Sequence, residues 1–441
     1  MLHMNYIPQI IFIILLGFSV WLFTKNIVRI RKNIFLGKAE DISDNKNLRW
    51  RNLFLLALGQ KKMFKNKTVA VMHFIIYAGF IIINIEVLEI LLDGIFGTHR
   101  LFLGALGNLY TFAINFFEIL ALGVLAVCVV FLARRNIIKL KRFVSSDLNG
   151  WPRTDANLIL VVEIILMSLF LMMNATDRAL QLKGSEHYRD AGSFIISGFI
   201  APLFSNFSVA SLVSIERTSW WLHISGILAF LNYLPYSKHL HIALAFPNSY
   251  YGRLEPLGEI DNMVSVQNEV KYMMQPELAP TDAAAPLKFG AKDIFDLKWT
   301  NLMSAYSCTE CGRCSSVCPA NMTGKLLSPR KIMMDTRDRL QEVGKNIKKN
   351  GSFVDDGKTL LNDYITVEEL RACTTCNACV EACPVSINPL EIIIELRRSL
   401  IMEDSNAPQE WNGMFTNIET NYAPWKLSPD DRDKWAVEME N

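Results

Sequence analysis

Five apolar stretches, at residues 6–24, 69–92, 109–133, 158–174 and 220–236, restrict the fold of this chain more than any other feature. Inside hydrocarbon every backbone amide and carbonyl must be satisfied within the protein, so apolar segments of about 20 residues read as spanning helices. Apolar residues make up 51% of the chain and charged residues 20%. Soluble domains run at roughly 45–50% and 25%. The excess lies in the first half, and residues 250–441 read as an ordinary soluble sequence. A net charge of +2 with no basic stripe and no interleaved aromatics points away from nucleic acid.

The loops orient the bundle. The first stretch has no basic segment before it and no small-residue cleavage site after it, which marks an uncleaved span rather than a signal peptide. Lys and Arg crowd residues 25–67, from Lys25 to Lys67, and the third connection, from Arg134 to Arg153. The second connection carries only Arg100. By the positive-inside rule the N-terminus lies outside and the soluble part is cytoplasmic, as in a multi-pass protein of a bacterial-type inner (plasma) membrane. The stretch 194–204 is too short to span and is expected to be re-entrant or interfacial. A short amphipathic helix is expected near residues 53–59.

Histidines and acids mark the bundle interior. His73 opens the second span on the cytoplasmic side, and His223, His239 and His241 belong to the fifth. His223 and His241 are 18 residues apart, five turns at about 3.6 residues each, and so share a helix face. His241 then falls at the depth of His73, a pair suited to holding haem b by two axial imidazoles. His239 is an alternative ligand, and His223 would serve a second haem, although Ile83 stands where its partner is needed. The alternative is interfacial histidines facing headgroups. Glu86, Glu89, Glu118 and Glu163 fall within spans, and an ionisable group there is a functional candidate, for instance in proton exchange with a quinone. Glu118 and Glu86 are the candidates for that site. Cys128, alone in an apolar run, reads as a small buried hydrophobe.

The other eight cysteines form two runs, CTECGRCSSVCP at 308–319 and CTTCNACVEACP at 373–384, each C-x2-C-x2-C-x3-C-P. This is the bacterial ferredoxin spacing, in which the fourth cysteine ligates the other cluster. One [4Fe–4S] cluster therefore takes Cys308, Cys311, Cys314 and Cys383, and the other Cys373, Cys376, Cys379 and Cys318. Zinc is the competing reading, but it needs two pairs per site rather than a 3+1 run twice. Helical patterns at "SPRKIMMDTRDRLQEVGKNI" and "NPLEIIIELRRSLIME" flank the runs, so the ferredoxin domain is expected to be all-α. The expected organisation is all-α: a cytochrome-b-like bundle (1–245), a linker (246–300), a helical dicluster ferredoxin domain (301–404) and a partner-docking tail (405–441).

On these motifs, with "VMHF", "WWLH" and "YLPYSKHLHI", the chain resembles membrane-bound iron–sulfur oxidoreductases related to heterodisulfide reductase. Their cytochrome-b domain is similar to the gamma chain of nitrate reductase. The resemblance implies that His73 and His241 match haem-ligand positions and His223 a third, while Ile83 departs from the fourth. Longer relatives continue into a domain with two C-C-type cysteine repeats, so a separate cysteine-rich iron–sulfur subunit is the expected partner, docking on the aromatic tail from Trp411 to Trp435. An electron-transfer flavoprotein or a dehydrogenase is the implied donor. The expected function is electron transfer between that donor, two [4Fe–4S] clusters, haem b and membrane quinone, with no other substrate site on the chain. The alternatives are a quinol-oxidising component that delivers electrons to a disulfide or other soluble acceptor, and a non-respiratory redox sensor or anchor.

Overall fold

In the computed structural model the described residues are 6–280, 288–426, 428–431 and 433–439. They are helical throughout, with two isolated bridges in place of strands. Four helices are long and apolar enough to cross a membrane: α1 (Ile7–Ile34), α2 (Lys67–Phe96), α3 (Asn108–Asn136) and α4 (Trp151–Leu182). Asn66 caps α2 by accepting from the amide of Val69, and Gly97 ends it in a left-handed conformation. Helix α5 (Val209–Tyr233), capped by Ser208, lies along α4. Helices α2, α3, α4 and α5 are sequential neighbours, and α1 leans on α2 and α5. Their outward faces expose Ile14, Phe80, Phe112, Ile165 and similar side chains, as expected of a surface solvated by lipid.

The cluster domain follows α6 (His241–Tyr250) and is built from α7 (Trp299–Ser307), α8 (Arg313–Val317), α9 (Pro329–Asn350), α10 (Ala378–Ala382) and α11 (Pro389–Arg398). Its core joins Leu302, Ile332, Leu340, Leu370, Ile393 and Leu396, all buried.

Three expectations are corrected by the fold. First, α1 does not stop at residue 24. Its 28 residues reach about 42 Å, beyond a ~30 Å hydrocarbon layer. The extension enters the cluster domain, where Ile30 and Ile34 join the core and Asn33 donates to the Tyr306 hydroxyl at 3.0 Å. Gly344 on α9 permits this approach, because a Cβ there would lie 2.4 Å from the Asn33 side chain. Second, residues 288–300 are not a free linker. Ala291, Ile294 and Leu297 are core, and Lys38 exchanges backbone hydrogen bonds with Leu297 and Trp299. Residues 281–287 of that linker and 427, 432 and 440–441 of the tail lie outside the described residues.

Third, the fifth stretch is not one helix from 220 to 236 and beyond. Helix α5 ends at Tyr233, and a turn containing Pro235 separates it from α6, which His241 opens. Proline lacks the amide to continue the ladder, so His223 and His241 do not share a helix face and the five-turn arithmetic fails. Residues 53–58 form a wide helical turn continuing the short helix Lys46–Asn52, and 197–204 form two short turns beside α4.

Candidate redox centre

The two cysteine runs adopt matching backbones. Glu310 and Thr375, third in each run, have φ of 54° and 57°, and the fifth residues, Gly312 and Asn377, have 72° and 60°. A left-handed residue on either side of the second cysteine turns successive amides inward, the kind of concavity that receives an anionic centre. Helices α8 and α10 then carry the third cysteines and lie against each other. The fourth cysteines, Cys318 and Cys383, are extended and precede Pro319 and Pro384.

Electrostatic contacts sort the sulfurs into two groups. Cys308 is felt by Cys311 and Cys383, and Cys314 by Cys311, Cys308 and Cys383 ahead of Cys379, the one coupling that crosses between the groups. Cys373 and Cys379 are each felt by Cys318 and Cys376. Each group is three thiols of one run plus the fourth of the other. Burial pushes the Cys308 and Cys379 thiols up to about 12 and Cys383 to about 11, so bare thiolates would be costly there. Coordination to iron removes that cost, and amides of Thr375 and Ile387 donate to Cys373 and Cys383 sulfurs at 3.4 and 3.3 Å. The eight residues therefore fit two iron–sulfur clusters. Among the described residues, no three His, Cys, Asp or Glu side chains converge on a point as a single-ion site requires.

Both runs meet the bundle end, the first through buried ion pairs and the second through an exposed one, Lys65 to Glu381 at 2.5 Å, and through Pro384, which lines a cavity that runs into the bundle. Arg330, only 1% exposed, donates to Asp147 at 3.0 and 2.6 Å, to the Arg142 carbonyl at 2.8 Å and to Ser145, tying the α3–α4 loop to the first run. Gly312 is required here, because a Cβ would meet Arg330 Nη1 at 2.6 Å. Lys238 donates to Glu310, to the Pro152 carbonyl at 2.6 Å and, through its amide, to Asp155 at 3.1 Å. Burial alone would raise the Glu310 carboxyl, but Lys238 and Arg337 outweigh it and hold the group below its usual value. In the second run, Thr374, Thr375 and Cys376 are exposed.

A cavity of about 480 Å³ runs from the first cysteine run into the bundle. Its walls include Cys311, His73, His239, His241 and His223. The Nδ1 atoms of His73, His241 and His223 face the Gln60 side-chain oxygen (3.1 Å), the Lys238 carbonyl (3.0 Å) and the Leu166 carbonyl (3.0 Å). An acceptor at Nδ1 fixes the tautomer that leaves Nε2 free to bind a metal. His239 sits 5.6 Å from His241 by ring centroids, with a buried Nε2 that has no partner among the described residues. Arg134, Arg135 and Arg142 line the same cavity, and the buried Nε of Arg135 has no partner among the described residues. Two imidazoles beside a cationic rim fit a haem with its propionates.

The acidic candidates are placed differently. Glu118 accepts from the amides of Ile196 and Ser197 at 2.8 and 3.2 Å and from Asn174 at 3.2 Å, with no exposure. It holds the 194–204 segment, at the end of the bundle away from the clusters. Glu86 is buried among charges there: Arg100, Glu89, Glu118 and Asp177 are all within electrostatic reach. Neither lines the cavity, whereas Glu163 and Cys128 do. Motif and spacing do not single out Lys238, Arg330 or the three cavity arginines, and they rank Glu163 below Glu118. Only burial distinguishes these residues from other charged ones, and burial is not written in a motif.

A sequence-family profile described as "4Fe-4S dicluster domain" matches residues 307–387. The chain is 28% identical to the "Probable iron-sulfur-binding oxidoreductase FadF" of Bacillus subtilis, over 97% of this chain and 61% of that protein. It is 29% identical to the "EtfAB:quinone oxidoreductase" of Syntrophomonas wolfei, over 66% of this chain and 41% of the other. One polypeptide of the "Dihydromethanophenazine:CoB--CoM heterodisulfide reductase" of Methanosarcina acetivorans is 29% identical over 33% of this chain and 36% of that polypeptide. The chain thus spans at most about three-fifths of the length of these curated relatives. No solved structure matches it. It is related to iron–sulfur oxidoreductases and heterodisulfide reductase subunits and has a [4Fe–4S] dicluster domain and a membrane-type helical region, consistent with a role in electron transfer.

Proposed function

We propose that the chain is the electron-transfer subunit of a membrane-bound oxidoreductase complex, linking a soluble donor or partner subunit to membrane quinone through two [4Fe–4S] clusters and haem b. One observation carries the reading: a single cavity is walled by Cys311 of the first cysteine run and by the histidines of the bundle. Bound in these sites, the clusters and the haem supply one-electron carriers between a partner-facing surface and the bilayer. The chain's own residues hold and insulate them. Cys308, Cys311, Cys314 and Cys383 would hold the inner cluster, and Cys373, Cys376, Cys379 and Cys318 the outer one. His73 and His241 would hold the haem iron, with His239 as the alternative to His241. Arg134, Arg135 and Arg142 would neutralise its propionates, Lys238 ties Glu310 of the cysteine loop to the histidine loop, and Arg330 ties the α3–α4 loop beside it.

In this reading helix α5, which carries His223, is a fifth span, and the Lys- and Arg-rich loops support a cytoplasmic cluster domain. Exposed Cys376 marks where electrons enter or leave. The tail helix Gln409–Asn421, which leaves Trp411, Phe415 and Ile418 exposed, receives the partner iron–sulfur or electron-transfer subunit. The names of the relatives include both quinone and heterodisulfide chemistry, and the direction of flow follows from the potentials, which ligand type alone does not set.

A redox-titrated visible and EPR spectrum of the purified full chain tests this. Two cluster signals and a b-type absorbance are expected, and absence of b-type absorbance rejects the haem. In His73→Ala the absorbance should disappear while both cluster signals remain. Full haem retention in that variant would reject the ligand assignment.

A further inference from the structure

The cavity is longer than the His73–His241 end requires, and its deeper part has a different chemistry. Glu163 lies twelve residues into α4 from Trp151, roughly 18 Å along the helix, and His223 lies ten residues from the end of α5, roughly 15 Å. The two are at one depth, joined by the His223 bond to the Leu166 carbonyl, one turn beyond Glu163. The wall around them is Ile83, Val124, Cys128 and Met167. Among the described residues no second histidine lines this part of the cavity, where Ile83 stands, so His223 lacks a second imidazole to share an iron porphyrin with.

Glu163 differs from the other acids named in the bundle in lining the cavity. Glu89 and Glu118 accept from backbone amides, and Glu86, whose Oε2 is likewise without a partner among the described residues, lies within electrostatic reach of Arg100 and off the cavity. The Glu163 carboxyl makes no hydrogen bond or ion pair among the described residues, and it lines the cavity. An ionisable group at membrane depth without a partner is costly unless it faces a ligand or water. Phe80 and Ile81 line the same cavity and are 41% and 47% exposed on the lipid-facing side of α2, so the cavity reaches the bilayer surface beside this depth.

We propose that this deeper half, between Glu163, His223 and Ile83, seats a quinone headgroup that enters from the bilayer past Phe80 and Ile81, and that Glu163 exchanges the proton with one of its oxygens. This rests on the electron-transfer reading above and locates its membrane substrate. Reduction converts both quinone carbonyls to hydroxyls and takes up two electrons and two protons. The electrons come singly from reduced iron–sulfur carriers. One proton passes from the Glu163 carboxyl, which is then reprotonated from water, and the other comes from solvent. The free Nε2 of His223, its Nδ1 being held by Leu166, accepts a hydrogen bond from the opposite hydroxyl.

The test uses the purified full chain in lipid nanodiscs. Binding of 2-heptyl-4-hydroxyquinoline N-oxide is followed by fluorescence quenching between pH 5 and 8, beside the rate of reduction by menadiol. In Glu163→Gln the pH dependence of binding should flatten and the menadiol rate fall tenfold or more, with Glu163→Asp restoring the pH dependence in part. Ile83→Trp, which fills the opposite wall, should weaken binding at least tenfold while b-type absorbance and both cluster signals persist. Unchanged binding and pH dependence in both Glu163→Gln and Ile83→Trp overturns the inference and leaves the haem reading intact. If wild type has no b-type absorbance but binding still depends on Glu163 and Ile83, the haem reading falls and this inference stands.

Discussion

The two cysteine runs share spacing, left-handed residues and a following helix, yet they occupy opposite situations. The first is clamped by Arg330, Lys238 and Arg337 onto the helix bundle, and its Cys311 lines the cavity. The second leaves Thr374, Thr375 and Cys376 exposed. One repeated unit therefore has a copy clamped by buried ion pairs and a copy whose second-cysteine loop is exposed, although Pro384 of the latter also lines the cavity, and what differs is the surroundings rather than the motif.

The largest effects should come from the ligands. Cys311→Ser and Cys376→Ser should each remove one cluster's EPR signal and roughly half of the iron bound by eight cysteines in two sets. Under the proposed function they should differ in consequence: in Cys311→Ser the outer signal should persist while electron exchange with the bundle is lost, and in Cys376→Ser the inner signal should persist while exchange with a soluble partner is lost. Identical behaviour of the two would break the comparison.

Next is the clamp. Arg330→Met leaves Asp147 buried without its partner, a loss of about 3–5 kcal/mol for a broken buried pair. Thermal bleaching of the cluster absorbance should shift down accordingly. The same change at exposed Lys348 should leave it within about 0.5 kcal/mol.

Equivalent positions sharpen the contrast further. Gly312→Asn copies the residue of the second run into the first, where its Cβ meets Arg330 and the Arg142 carbonyl, and should cost about 1–3 kcal/mol as overpacking. Asn377→Gly, the reverse exchange, should stay within about 0.5 kcal/mol by the same bleaching assay.

The smallest effect is that of pH on the clamp. Burial would raise the Asp147 carboxyl, but its hydrogen bonds to Arg330 prevail and hold it below the usual value. A carboxylate depressed in the folded state adds stability above its unfolded pKa of about 3.9 and loses it as pH falls through the folded value. The Asp147 contribution should therefore be flat from pH 8 to about 5 and fade below about 4. Comparing wild type with Asp147→Asn across that range checks it, and a difference that changes between pH 6 and 8 would contradict the assignment.

Much of this is legible in the chain. The cysteine runs and the helical flanks follow from spacing and periodicity, because a cluster's ligands must come from local backbone turns. The apolar runs yield four helices long enough to span, because lipid leaves the backbone no other partner. Other parts are not legible. The end of α1 is hidden because Arg29, Arg31 and Lys32 read as a loop, whereas one side of the same segment, Ile30 and Ile34, enters the cluster domain's core. The helix that carries His241 is hidden because Pro235 can bend a helix or stop it, and here it stops one. Among four intramembrane acids, position along the chain favours Glu118 by depth, and the fold places Glu163 at the cavity.

By itself the sequence determined the ligand types, the 3+1 grouping they suggest and the apolar helices, all of which depend on neighbours along the chain or on the solvent. Only the tertiary structure decided which cysteine run is clamped by buried ion pairs, which histidines share a cavity and which intramembrane carboxyl lines it. Those depend on contacts between residues such as Arg330 and Asp147, 183 positions apart, and no local pattern records them.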